Sequence, residues 1–169
     1  MHLLHLLRHA KSSWKEDAED HERPLNRRGR EAARLVGKHL PASVGGIDLV
    51  LCSSAARTRE TLDLVLAEFA PRPRILIEDG LYLADRNELI ERLRRVAESD
   101  VNVLLIGHNP GLQELAVALA DPDSSRTWTS GKFPTGARIS FRIATRWSAL
   151  GDARHRLVDY VTVGSLSGG

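Results

Sequence analysis

Three short groups of residues carry the side chains in this chain best suited to chemistry. Arg8-His9 ends the apolar run Leu3-Leu4-His5-Leu6-Leu7. Ser53-Ser54, with Arg57 just beyond, ends Ile47-Asp48-Leu49-Val50-Leu51-Cys52. Gly107-His108 ends Val101-Asn102-Val103-Leu104-Leu105-Ile106. Arginine presents a planar fork that matches phosphate or carboxylate. Histidine serves as a nucleophile or as an acid/base near neutral pH. The helix expected from about residue 55 adds backbone N–H donors and the positive end of its dipole. Two arginines and two histidines brought to one place repel one another where water is scarce. A dianion with oxygens spaced for guanidinium forks, such as a phosphoryl group, is the compensating partner.

That convergence depends on the elements that carry the residues. The runs before each group are continuously apolar, which reads as strands buried on both faces of a parallel sheet. Strands are expected at about 2–8, 47–52, 74–78 and 101–107, with helices at about 26–40, 55–69, 85–98 and from 112. Asn26 is placed to cap the first helix, and Pro41 with Gly45-Gly46 to break it. A polar loop holding Glu16, Asp17, Glu19 and Asp20 separates the first strand from that helix. Two alternating stretches, Ala137–Ala144 and Arg156–Val163, read as further strands joined by a hairpin or a short crossover. Strands alternating with helices predict a three-layer α/β/α sandwich on a mostly parallel, mixed sheet. Ligands of such sheets bind outside the carboxyl ends of the strands, so the three groups are expected along one rim. Residues 1–163 are expected as one domain and 164–169 as a flexible tail.

The 169-residue chain is 42% hydrophobic and 27% charged, which is ordinary for a globular protein. No window reaches the roughly eighteen uninterrupted apolar residues of a membrane helix, and no signal peptide is evident. One cysteine, Cys52, cannot form an intrachain disulfide, and a cytoplasmic protein is expected. The net charge is only +2 and aromatics make up 5%, which argues against a nucleic-acid partner. The basic cluster Asn26-Arg27-Arg28-Gly29-Arg30 reads as a solvated helix face.

Competing chemistries fail on spacing. His2 and His5 are three apart, so a strand sends them to opposite faces, and no zinc-type cluster exists. His5 reads as a core or hydrogen-bonding histidine. Cys52 and Arg57 are separated by four residues, one fewer than the cysteine phosphatase loop needs, and position 58 is threonine. Neither a Walker A loop nor G-x-G-x-x-G is present, and no nucleophile elbow surrounds Ser53-Ser54.

Four elements in order resemble the histidine phosphatase superfamily, in the branch of phosphoglycerate mutases and SixA-type phosphohistidine phosphatases. The family's Arg-His-Gly after strand one is matched by Arg8-His9-Ala10, continued by Lys11-Ser12-Ser13-Trp14. Its arginine one turn into the next helix is matched within Ser53-Ser54-Ala55-Ala56-Arg57-Thr58-Arg59-Glu60-Thr61, and its Gly-His by Gly107-His108-Asn109-Pro110. Asp20-His21-Glu22-Arg23-Pro24-Leu25-Asn26-Arg27-Arg28-Gly29 is similar to the short SixA-like group.

The resemblance implies a phosphoglycerate mutase-like fold and a hydrolase that needs no metal or cofactor. His9 would attack phosphorus and form a transient phosphohistidine. Arg8, Arg57 and His108 would bind the non-bridging oxygens and stabilise charge in the transition state. The arginines should lower the pKa of His9, and its second ring nitrogen should donate to a backbone carbonyl. Two positions depart from the pattern. Ala10 stands for glycine. The glutamate that many relatives place after strand three, as proton donor to an ester leaving group, has no match in Leu81-Tyr82-Leu83-Ala84. Asp85 and Glu88 are nearby substitutes that read better as helix N-terminal charges. A phosphoramidate needs less acid assistance, so the leading expectation is hydrolysis of phosphohistidine in a protein partner. The alternatives are a phosphatase of a small phosphorylated metabolite and a non-catalytic phosphate-binding module. The proton donor, the roles of Lys11, Ser12 and Arg23, and the oligomeric state are left open.

Overall fold

A computed structural model describes residues 1–15 and 17–168. Glu16, one of the expected loop acids, and Gly169 lie outside the described residues. Six strands form one sheet in the order β3-β2-β4-β1-β5-β6: β1 His2–Arg8, β2 Leu49–Ser53, β3 Arg74–Glu78, β4 Asn102–Gly107, β5 Arg138–Ile143 and β6 Arg156–Val161. The first four run parallel. The pair β5–β6 is antiparallel and hairpin-like, and β5 is antiparallel to β1. Helices α1 Arg27–Val44 and α2 Ala56–Val65 cover one face, α3 Arg86–Arg94 and α4 Gly111–Leu119 the other. This is the mixed α/β/α sandwich that the strand–helix alternation predicts.

The leucine-rich strands explain the two cores. Alternate side chains of a strand point to opposite faces, so Leu4, Leu6, Val103 and Leu105 join α3 and α4, while Leu7, Leu104 and Ile106 join α1 and α2. Each fully buried leucine contributes about 1.5–3 kcal/mol through apolar area removed from water. Cys52 is buried in the second core, and burial pushes its thiol up to about 12.

Three expectations need correction. Pro41 does not break α1, which runs one further turn to Val44. The lost N–H bond is offset because Val44 is buried and its carbonyl accepts from Asn102 Nδ2 at 2.7 Å; Gly45 then ends the helix at φ 69°. The helices expected to reach 69 and 98 stop at Val65 and Arg94, where residues 66–73 and 95–101 form turns instead. Residues 164–167 are not a tail: α5, Val163–Ser167, opens on a Thr162 capping box and sets Val163 and Leu166 against the α1–α2 core.

His5 is the buried structural histidine that its place inside β1 suggested. Asn102 spends both amide hydrogens on the Val44 and Gly46 carbonyls, so its Oδ1 accepts from His5 Nε2 at 2.8 Å. Ser140 Oγ then serves Nδ1 at 2.7 Å. Burial, followed by the charge of Arg138, lowers His5 to about 4.

Below pH 6.5 the unfolded chain takes up a proton at this position that the native state refuses until about pH 4. The stabilisation is therefore complete above pH 6.5 and is lost progressively as pH falls towards 4, by roughly 3 kcal/mol for this side chain alone. In urea titrations across that window, His5→Gln should show a shallower loss of stability with acid than the parent chain, by about one proton. An unchanged slope would show that His5 is already charged in the native state.

Candidate active site

Strand register builds the site. Arg8 pairs with Gly107, and Cys52 with Ile106, so Arg8, Gly107 and Ser53 end their strands in one row. Neighbouring strands lie about 4.8 Å apart. The residues that follow, His9 and His108, accordingly place their ring centroids 5.3 Å apart. Arg57 reaches the same place from the first turn of α2. Arg8, His9, Arg57 and His108 line one cavity of about 380 Å³, joined by Lys11, Ser12 and Arg23. All four sequence-predicted site residues are thus brought together.

Each side chain is held from behind. His9 Nδ1 donates to the Ala10 carbonyl at 2.6 Å, which leaves the Nε2 lone pair without an intramolecular partner among the described residues. Ala10 accepts its Cβ without a left-handed backbone and is buried in the second core; its N–H donates to Thr61 Oγ1 at 3.0 Å. The Thr61 hydroxyl donates in turn to the Arg57 carbonyl at 2.7 Å, which ties α2 to the loop after β1. The loop is also braced by α1: Asn26 N donates to the Lys11 carbonyl at 3.0 Å, and a Cβ on Gly29 would stand 2.0 Å from that same oxygen. Only glycine permits that approach.

Ser53 sets the tautomer of His108. Its Oγ accepts from the Ala55 N–H at 3.3 Å and lies 2.7 Å from His108 Nε2. The Ser53 hydroxyl proton has no other acceptor among the described residues, so it donates to Nε2 and the ring proton sits on Nδ1. His108 Nδ1, Arg8 Nε and Arg57 Nε are buried and have no partner among the described residues. Buried donors are ordinarily paired, and three orphans on residues lining one cavity are what an anion site requires.

Electrostatics keep both rings neutral. Burial lowers His9 to about 4, assisted by Arg57, Arg8 and Arg23 and opposed by the Ala10 carbonyl. Burial, then His9 and Arg57, takes His108 to about 3. The cation surplus is trimmed from outside by Asp20. Arg57 Nη1 and Nη2 donate to its carbonyl and carboxylate at 2.7 and 3.2 Å, Arg23 Nε donates at 3.1 Å, and Tyr82 donates its hydroxyl. These bonds, with that from Tyr82 foremost, hold the Asp20 carboxyl at about 2.

Asp20, Tyr82 and the role of Ser53 were missed from sequence. Asp20 was visible only as one of several loop acids, and Tyr82 as a residue that is not glutamate. The signal for Ser53 was its place at a strand end in the row of Arg8 and Gly107. Asp85 caps α3 by accepting from Glu88 N at 2.8 Å, and both line a separate cleft with Glu78 and Arg92. Among the described residues, no group of three or more His, Cys, Asp or Glu is placed to hold a metal ion, and no helix is long and apolar enough to cross a membrane.

The depressed pKa keeps the His9 ring neutral above about pH 4, and that form is lost as pH falls through this value. By NMR the His9 ring should titrate near 4, and Arg57→Gln should move the midpoint upward. A midpoint near 6.5 in the parent chain would contradict this account. In Ser53→Ala, ¹⁵N shifts of His108 should report a mixture of tautomers in place of the Nδ1–H form.

A model of the histidine phosphatase superfamily (branch 1) matches residues 4–82. An uncharacterized protein of Mycobacterium tuberculosis is 35% identical over 146 residues, covering 84% of this chain and 90% of that protein. A structure ascribed to phosphohistidine phosphatase SixA of Nakamurella multipartitia is 28% identical, with a TM-score of 0.83 over 95% of both chains. A structure ascribed to an alpha-ribazole-5'-P phosphatase of Escherichia coli shares the fold, with a TM-score of 0.67 at 19% identity over 96% of this chain and 98% of that one. The motifs at three strand ends, the family model and these likenesses agree: the chain belongs to the histidine phosphatase superfamily and is a phosphatase of the SixA type.

Proposed function

We propose that the chain hydrolyses phosphohistidine carried by a protein partner, through a covalent phosphohistidine on His9. One observation carries the choice of substrate: among the described residues lining the cavity that holds Arg8, His9, Arg57 and His108, none is a carboxylic acid. Asp20, the nearby carboxyl, is held ionised and engaged by Arg57, Arg23 and Tyr82. An alkoxide leaving group needs a proton from an acid to depart. The ring nitrogen of a phosphohistidine is more basic than an ester oxygen and can be protonated by solvent.

In this mechanism His9 Nε2 attacks phosphorus while the P–N bond to the substrate imidazole breaks. The bond pair stays on the leaving nitrogen, which departs as neutral imidazole once protonated. Arg8, Arg57 and the Nδ1–H of His108 stabilise charge on the three non-bridging oxygens. A water oxygen then attacks phosphorus, the bond to His9 breaks, and inorganic phosphate leaves with the neutral ring restored. Arginines supply the positive charge, so the scheme uses no metal.

The SixA-like structural likeness supports this reading. A cavity of about 380 Å³, together with the fold shared with an alpha-ribazole-5'-P phosphatase, supports a second reading, a phosphatase of a small phosphorylated metabolite. A non-catalytic phosphate-binding module fits less well, because the free Nε2 of His9 would then have no use. We place the reaction in the cytoplasm, where the single unpaired Cys52 is at home.

Incubation with a phosphorylated histidine-containing domain should release inorganic phosphate faster than incubation with a panel of phosphate esters. Turnover of esters alone would overturn the substrate assignment. His9→Ala should abolish turnover while retaining part of the affinity for phosphate. Arg57→Ala should lower kcat by about 10²–10³, the usual loss for one oxyanion donor.

A further inference from the structure

Two apolar side chains stand at the mouth of the cationic cavity and in water. Trp14 is 79% exposed, Leu83 is 53% exposed, and both line the cavity with His9. Hydrophobic burial explains neither position.

Both are nonetheless held in place. The Arg23 guanidinium carbon lies 3.5 Å from the centroid of the Trp14 ring. Arg23 is itself buried and fixed by Ser12 Oγ, the Ser13 carbonyl and Asp20. The indole therefore rests on a rigid cation, an attractive arrangement for its π face. Leu83 is the one non-glycine described at positive φ, at 52°. Ala84 N donates to the Leu81 carbonyl at 3.3 Å, and Tyr82 stands at φ −66° and ψ 116°. This is a type II turn with leucine at the position that favours glycine or asparagine. The turn is pinned on both sides, by the Tyr82 hydroxyl on Asp20 and by the Ala84 carbonyl, which a Cβ on Gly111 would approach to 2.0 Å. An unfavourable backbone that displays a half-exposed leucine at a ligand cavity marks a functional constraint.

We propose that Trp14 and Leu83 are specificity residues that grip the leaving group, a flat ring bonded directly to phosphorus. Resting on the phosphohistidine reading, the ring is the imidazole of that residue on a protein. Arg8, Arg57 and His108 meet the same phosphoryl group in every substrate, so they do not distinguish one leaving group from another. The rim does. An imidazole that leaves neutral gains from apolar contact with indole and isobutyl groups, whereas a polyhydroxylated leaving group would have to be desolvated against them. The open mouth also leaves room for the polypeptide that carries the ring.

The test compares phosphohistidine with phosphoramidate, which has the same P–N bond and no ring. In Trp14→Ala and in Leu83→Gly, the preference for phosphohistidine, read as the ratio of kcat/KM values, should fall about tenfold through loss of apolar and aromatic contact. Trp14→Phe should restore most of it. Leu83→Gly relieves the left-handed backbone, so its Tm should be retained while its preference falls, a pairing that a structural role would not produce. An unchanged ratio in both variants overturns the rim assignment and leaves the phosphohistidine reading standing. A parent enzyme that turns over esters and phosphoramidate but not phosphohistidine overturns both.

Discussion

Like-charge repulsion is the constraint on which this site rests. Arg8, Arg57 and Arg23 line one cavity with two histidines, and water screens them poorly there. Nothing in the local backbone preference would assemble such a group. It persists because the surplus is handled in three ways. Burial and the arginines strip the proton from both imidazoles, so neither ring adds to the positive charge of the cavity. Asp20 draws part of that charge outward. The remaining unpaired donors, Arg8 Nε, Arg57 Nε and His108 Nδ1, are left for an anion to satisfy. The energy that assembles the cluster comes from the two apolar cores above and below the sheet, and the site spends part of it on orphaned polar groups.

Precision comes from the sheet. Because β1, β4 and β2 end in one register row, the distances among His9, His108 and Ser53 follow from strand spacing and need no long loops. The helices add the finer adjustments. Thr61 on α2 links Arg57 to Ala10, and the first turn of α1 presses Gly29 against the Lys11 carbonyl. Groups that must sit within a fraction of an ångström of a reacting centre are best placed on rigid elements, and that is the arrangement here.

Much of this was legible in the sequence for a physical reason. Apolar runs that stop abruptly at Arg8-His9 or Gly107-His108 can hardly be anything but buried strands with their ends at a ligand rim. What was not legible depends on contacts between distant segments. Pro41 reads locally as a helix breaker, and it is outvoted by the burial of Val44 and by the amide of Asn102, 58 residues away. Leu166 looks like part of a frayed terminus until the α1–α2 core offers it a surface. Asp20 is one acid among several in a polar loop, and only the fold brings Arg57 of α2 and Tyr82 of the turn after β3 to it. His5 succeeded because its place inside a leucine run already excluded a solvent-facing role.

Cys52 lies one residue before the rim, and its thiol is both enclosed and raised to about 12. Phosphatases built on a cysteine thiolate depend on a sulfur that peroxide and alkylating reagents readily attack. Here sulfur is sealed into the hydrophobic layer, and the attacking atom in the proposed mechanism is an imidazole nitrogen. The nucleophile proposed above therefore lies outside the thiol oxidation chemistry that switches such enzymes off.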